Sequence, residues 1–148
     1  ITQNIDDLHE RAGSKNVVHL HGLITLGKSS NENGEDSGIV KVGKNGIRLG
    51  DKAIDGSQLR PHVVWFGEAV PNILLAEEIV ASADILIIVG TSLNVYPAAN
   101  LIYHARKGAQ KYLVDKNHVN APKSISIKHE MGEASVILPE LLMRLAQV

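Results

Sequence analysis

The stretch ILIIVG, residues 85–90, decides how the chain is read. It holds five consecutive apolar residues, four of them β-branched, and stops at a glycine. An uninterrupted apolar run of this length, preceded by Ser82, Ala83 and Asp84, reads as a strand buried on both faces, as in a parallel sheet. Outward from it, HVVWFGE at 62–68, with Pro61 before it, reads as a second strand, KYLVD at 111–115 as a third and SISI at 124–127 as a short fourth. Helical patterns fill the gaps. NILLAEEIVASA, 72–83, offers Asn72 as an N-cap and sets Ile73, Ala76, Ile79, Val80 and Ala83 on one stripe. PAANLIYHARKG, 97–108, places Pro97 at the first helical position and stops at Gly108, with Arg106 and Lys107 in its last turn. LPELLMRLAQV, 138–148, uses Pro139 in the same starting role. Strands alternating with helices make βαβ units, so the expected fold class is α/β with a mostly parallel sheet.

Residues 27–59 break the rhythm. GKSSNENGEDSG, 27–38, is a polar, Gly-rich loop, and GIVKVGKNGIRLGD, 38–51, reads as a hairpin around Asn45-Gly46, a small excursion from the main sheet. No internal repeat is present. The 148 residues fit one domain with a real core. A formal net charge of -1 leaves no basic excess to point to nucleic acid. The absence of cysteine removes disulfides, thiol catalysis and cysteine-ligated metal. The longest apolar run falls far short of the ~20 residues of a membrane helix, and no basic-then-apolar leader opens the chain. A cytoplasmic protein that binds neither nucleic acid nor membrane is the expectation. The start at Ile1 rather than Met, directly on a site-like stretch, is read as the mark of a fragment.

Three segments could carry chemistry. GTSLNVYPAAN follows the first strand directly, so Gly90, Thr91 and Ser92 lie at a strand's carboxyl end, where open α/β sheets bind ligands; a plain strand-to-helix turn is the alternative. WFGE, 65–68, holds the chain's one Trp and one Phe, either as core or as a hydrophobic wall beside a glycine that exposes backbone to an extended peptide. ITQNIDD and VVHLHG together place Asn4, Asp6, His19 and His21 close in sequence. His19 and His21 alternate and so share a face of a strand; with no further ligands at useful spacing, a catalytic base is a better role for one of them than a metal pair.

Taken together, TQNID at 2–6, LHERAG at 8–13, HLHG at 19–22, RPHVVWFGE at 60–68, GTS at 90–92 and VYPAA at 95–99 resemble the sirtuins, the NAD-dependent protein lysine deacylases, and among these the bacterial type. The resemblance implies a Rossmann-like sheet with helices on both faces. Residues 1–22 and 60–148 would form the C-terminal part of the NAD-binding domain and 23–59 a small insertion. It implies NAD as cofactor and acyl-lysine proteins or peptides as partners. It assigns His21 as general base toward the ribose hydroxyls, with Gln3 on the ribose. Asn4 would position the ribose and a water, and Asp6 would hold the nicotinamide carboxamide. Val64, Phe66, Gly67 and Glu68 would line the acyl-lysine cleft. Gly90, Thr91, Ser92 and Asn94 would cradle the cofactor, Asp115 would meet the adenosine ribose, and the backbone near Ala134 and Ser135 would meet adenine.

Three departures accompany it. The Gly-rich segment that opens the nucleotide-binding fold in sirtuins has no counterpart, so the chain alone is expected to be inactive, or completed by the missing N-terminal part of the same fold. Ser29 and Ala53 stand where zinc-binding cysteines often occur, so no zinc is expected and the insertion must fold without it. Asp115 stands where an Asn is common. Other functions compatible with the sequence are a module that binds NAD or ADP-ribose without catalysis, and an NAD glycohydrolase. Retention of the whole RPHVVWFGE stretch favours a peptide substrate.

Overall fold

The computed structural model of the chain describes residues 1–31 and 38–147, in two compact units, Ile1–Asn72 and Ile73–Val148. Of the polar loop expected over 27–38, residues 32–37 lie outside the described residues, and residues 27–29 are strand rather than loop. In the first unit a single helical turn, α1 (Leu8–Arg11), precedes three strands, β1 (Gly22–Ser29), β2 (Val40–Lys41) and β3 (Leu59–Val63). They form an antiparallel sheet in the order β2-β1-β3. The excursion from the parallel sheet is therefore present, and the first arm of the expected hairpin is a strand at Val40–Lys41, but its partner is not the one expected. Val40–Lys41 pairs with Leu26 and Gly27 of β1, and Ile47–Leu49 enters no strand. Asn45-Gly46 does form a turn, with Gly46 at φ +69° donating its N–H to the Gly43 carbonyl. Ile47 instead packs beside Gly27, where its side chain would lie 3.3 Å from an added Cβ.

The strand expected at 62–68 lies three residues earlier. Pro61 falls inside β3 rather than before it, which an edge strand tolerates because a proline there leaves no interior ladder bond unmade. β1 shifts register between Leu23 and Gly27, bending the sheet opposite this proline.

The second unit is the parallel sheet. Its elements are α2 (Ile73–Ser82), β4 (Ile85–Val89), a 3-10 turn at Ala98–Asn100 running into α3 (Leu101–His104), β5 (Gln110–Asp115), β6 (Lys128–Met131) and α4 (Ala134–Leu145). The order is β4-β5-β6, all parallel. Central β5 carries the core. Tyr112 and Val114 are buried against Leu141 of α4, with Ile87, Ala134, Ile137 and Leu145 packed around them. Leu113, which alternation points to the opposite face, is buried too. Such coverage on both sides is what the apolar run in β5 requires.

Four expectations are corrected here. ILIIVG forms β4, but this is an edge strand among the described residues, and Ile85 and Val89 are exposed rather than buried. SISI is not a strand. It forms a turn in which Ile125 bonds back to Pro122, and β6 falls on the polar KHEM that follows, because the register that aligns Tyr112 with Lys128 outweighs local β propensity. Pro139 lies inside α4, which starts at Ala134, and the helix expected over 97–108 ends at His104. Pro139, exposed on the middle of α4, leaves the Ser135 carbonyl without the N–H that would otherwise meet it.

Candidate active site

In the first unit, two segments far apart in sequence are laid side by side. The Thr2 N–H donates to the Val18 carbonyl at 2.8 Å, Leu20 N–H to the Thr2 carbonyl at 2.9 Å, and Ile24 N–H to the Ile5 carbonyl at 2.7 Å. Thr2 is buried, and its Oγ1 accepts from the Asn4 N–H, fixing the turn of backbone that presents Gln3 and Asn4. The Gln3 carbonyl then accepts from His21 Nδ1 at 2.9 Å. A carbonyl can only accept, so Nδ1 carries a proton and the lone pair of neutral His21 is on Nε2. An imidazole oriented through one nitrogen, with the other available for a proton, is the geometry of a general base.

Gly22 explains why a glycine follows this histidine. Its φ is +79°, and a Cβ there would lie 2.1 Å from the His62 carbonyl oxygen. Close approach of β1 to β3 thus requires the absence of a side chain. The same approach lets Val64 N–H donate to the His21 carbonyl at 2.9 Å, which brings the WFGE segment to the histidine segment. Asp6 accepts from the Leu8 N–H through Oδ1 and so starts α1.

WFGE itself is a locked turn. Glu68 N–H donates to the Trp65 carbonyl at 3.0 Å, while the Glu68 carboxylate accepts from Trp65 N–H at 3.1 Å and from Arg60 at 2.7 Å. The Arg60 guanidinium also donates to the Val63 carbonyl and lies 4.3 Å from the Trp65 ring centre, within cation–π range. Burial by itself pushes the Glu68 carboxyl up, but the Trp65 N–H together with the Arg60 and Lys28 charges outweighs it and holds the group below its ordinary value. Glu68 therefore braces the turn through contacts within it. Phe66, by contrast, is fully exposed at 101% and Trp65 is 55% exposed, so neither belongs to the core. Gly67 adopts φ +92° at the tip. Arg60 is the residue that the sequence reading passed over. It stands inside the RPHVVWFGE block, and its distance of eight positions from Glu68 gave no local signal of the pairing.

The second unit gathers its candidates at one edge of the parallel sheet. Since β4, β5 and β6 run the same way, their carboxyl ends align. Gly90 N–H donates to the Val114 carbonyl at 3.0 Å and Gly132 N–H to the Asp115 carbonyl at 3.0 Å. Gly90 has φ +61°, and the residues after it form a turn in which Thr91 Oγ1 accepts from Leu93 N–H at 3.3 Å. Leu93 itself has φ 56°, a left-handed conformation uncommon for a leucine. Ser92 and Asn94 are exposed on this turn. Asp115 closes β5, with Oδ1 taking the Asn117 N–H at 2.8 Å. Ala134 begins α4 on the same edge, its side chain against the Tyr112 and Val114 core, which leaves its backbone as the group a ligand would meet. A positive-φ glycine, two hydroxyls and a carboxylate at the ends of parallel strands fit a nucleotide: backbone for close approach, hydroxyls for phosphate, carboxylate for ribose. Among the described residues no three or more His, Asp or Glu side chains cluster as a metal site, and no helix is long and apolar enough to cross a membrane.

Comparison with known proteins places the chain in a family. Residues 1–97 match the Sir2 family model. The chain is 52% identical over 129 residues to an NAD-dependent protein deacylase of Bacteroides thetaiotaomicron, a match covering 86% of this chain and 55% of that protein. Two solved structures share the fold at 98% coverage of this chain. One is a Sir2 homolog–NAD complex, with 34% identity, TM-score 0.80 and 57% of that chain covered. The other is Sir2Af2 bound to a myristoylated histone peptide, with 33% identity, TM-score 0.73 and 64% of that chain covered. The chain thus spans somewhat more than half the length of the curated relatives it matches. A family match through residue 97 and a deacylase relative 52% identical over most of this chain lead to one assignment: the chain belongs to the Sir2 family, the sirtuins.

Proposed function

We propose that the chain is the C-terminal part of an NAD-dependent protein lysine deacylase that releases nicotinamide and O-acyl-ADP-ribose, acting in the cytoplasm on acyl-lysine proteins or peptides. The observation that carries this reading is the bond from His21 Nδ1 to the Gln3 carbonyl, which orients Nε2 as a base on the segment beside Asn4. Support comes from the relative named an NAD-dependent protein deacylase and from the similar structures with NAD and with an acylated peptide.

When bound, NAD supplies a labile bond to nicotinamide and a ribose that accepts the acyl group. The chain's own residues orient and move protons. His21 Nε2 takes the proton of a ribose hydroxyl as that oxygen meets the acyl carbon. Asn4 positions ribose and a water, Gln3 contacts the ribose, and Asp6 holds the carboxamide. Gly67 and Val64 offer backbone to an extended peptide, with Phe66 beside the acyl-lysine and Glu68 keeping the turn in shape. In the second unit Gly90, Thr91, Ser92 and Asn94 take phosphate and ribose, Asp115 the adenosine ribose and the Ala134 backbone the adenine. Residues 1–22 and 60–148 belong to the nucleotide-binding domain in this reading. The insertion 23–59 is held by hydrogen bonds in place of cysteine-bound zinc, among them Ser29 Oγ to Asp55 at 2.6 Å.

The test is nicotinamide release from NAD by the full-length protein that contains this chain, with and without an acetyl-lysine peptide. Peptide-dependent release, lost in His21→Ala, is the expected result. Release that ignores the peptide indicates an NAD glycohydrolase instead, and ADP-ribose binding without release indicates a binding module.

A further inference from the structure

His19, two residues before the proposed base, is bonded at both ring nitrogens; it makes an isolated bridge with Thr2 while His21 lies in the turn before β1, so the two do not share the strand expected from their alternation. Nδ1 lies 3.2 Å from the Asn4 carbonyl oxygen and Nε2 2.8 Å from Glu10 Oε1. Its side chain is only 11% exposed. The backbone of His19 is held as well, its carbonyl accepting from the Asn72 side-chain amide at 2.9 Å. Both ring partners are acceptors, so the two bonds exist together only when the ring carries both protons. His21 and His19 thus grip successive carbonyls, Gln3 and Asn4, of the segment that the proposed function places at the reacting ribose.

We propose that His19 is a positioning residue: as an imidazolium latched to Glu10, it fixes the Asn4 backbone and so the placement of the Asn4 side chain relative to the His21 base. The role rests on the deacylase reading for its chemical meaning, but the latch itself stands on geometry alone. Glu10 fits the role, since the bond from His19 is the chief reason its carboxyl titrates below the ordinary value. The other titratable groups nearby are on α1 and the same segment: His9, which also acts on Glu10, the Asp7–Arg11 pair at 3.9 Å, and His21 two residues along. Of these, Glu10 is bonded to the ring. A ring with one proton fewer would leave one of the two acceptors unanswered.

The test uses His19→Phe, which keeps ring volume and removes both bonds, and Glu10→Gln, which keeps an acceptor and removes the charge. Histidine 15N spectra at about pH 5.5, one unit below the ordinary histidine value, are expected to show a ring with both nitrogens protonated whose Nε2 signal moves in Glu10→Gln and disappears in His19→Phe. Amide exchange at Leu20 and Ile24, which bond to Thr2 and Ile5, is expected to quicken about tenfold in His19→Phe, the worth of one hydrogen bond to a charged group, and less in Glu10→Gln. For the full-length protein with NAD and acetyl-lysine peptide, kcat falls about tenfold in His19→Phe while the peptide KM holds. Unchanged exchange in both variants, or a loss confined to the peptide KM, overturns the proposal. If the full-length protein that contains this chain releases no nicotinamide, the deacylase reading fails by itself, and the 15N and exchange measurements still decide whether the latch exists.

Discussion

Gly22 is where the chain concentrates the most constraint in one residue. The His-Gly pair reads in sequence as part of a motif, but its physical cause is a contact with β3 that no local pattern reveals. An alanine there meets two penalties, a left-handed φ of +79° and a Cβ 2.1 Å from the His62 carbonyl oxygen. Backbone atoms cannot rotate away as a side chain can. Gly22→Ala is therefore expected to destabilise the unit by about 2 kcal/mol or more, read as a lower midpoint in urea unfolding. It should also break the Val64 to His21 bond that follows the same approach. A midpoint within error of the unaltered protein shows that the strands can part at this point without cost. Glu68 teaches the reverse lesson. Its motif position suggests contact with substrate, whereas its carboxylate is committed to Arg60 and Trp65.

Among the elements, the insertion shows how an antiparallel sheet of two- to eight-residue strands keeps its end together. Ser29 Oγ at the end of β1 donates to Asp55 Oδ2 at 2.6 Å, lies 2.7 Å from Ser57 Oγ and accepts the Asn31 N–H. Ser57 gives Asp55 two further bonds, from its N–H and its hydroxyl. The Ser29 hydroxyl first, then those from Ser57, hold the Asp55 carboxyl down at about 2, against an ordinary 3.8. A lowered carboxylate stabilises the fold above its unfolded value and loses that contribution as pH falls through the folded one. The melting temperature of the unaltered protein should therefore exceed that of Asp55→Asn by a constant margin above about pH 5, a margin that shrinks from pH 3.8 and closes near pH 2. A margin that stays constant down to pH 2 shows that the carboxylate contributes no pH-dependent stability. This level is also where the sequence was least legible. Apolar runs announced β4 and β5, since burial demands them. β6 on KHEM is placed by pairing with its neighbour, and Lys128 carries no signal of it, while Val40 reads as strand but gives no sign that its partner is Gly27. The contacts of His21 and Glu68 fall on residues singled out in sequence. Arg60 and the His19–Glu10 latch arise from folding and had to be seen.

For the molecule as a whole, the two units divide the proposed labour, with proton transfer and peptide contact in Ile1–Asn72 and nucleotide contact in Ile73–Val148. With Lys and Arg at 15 against Asp and Glu at 16, the chain has no strong net charge to draw in a phosphate-bearing ligand. Affinity must then come from groups fixed at the sheet edge, and Asp115 is the one whose chemistry makes a separable prediction. A carboxylate accepts from both ribose hydroxyls, an amide accepts through one oxygen, and alanine accepts nothing. Asp115 also takes the Asn117 N–H, which an asparagine there can still do. ADP-ribose affinity measured by calorimetry should therefore fall about tenfold in Asp115→Ala and by a smaller factor in Asp115→Asn, following the loss of hydrogen bonds to a charged acceptor. The thermal shift that ADP-ribose produces should shrink in the same order, since binding to the folded state alone raises stability by mass action. If Asp115→Ala binds ADP-ribose as tightly as the unaltered protein, the end of β5 is not where the ribose sits. The carboxyl edge would then hold its nucleotide through the Gly90 turn and the start of α4, without the strand between them.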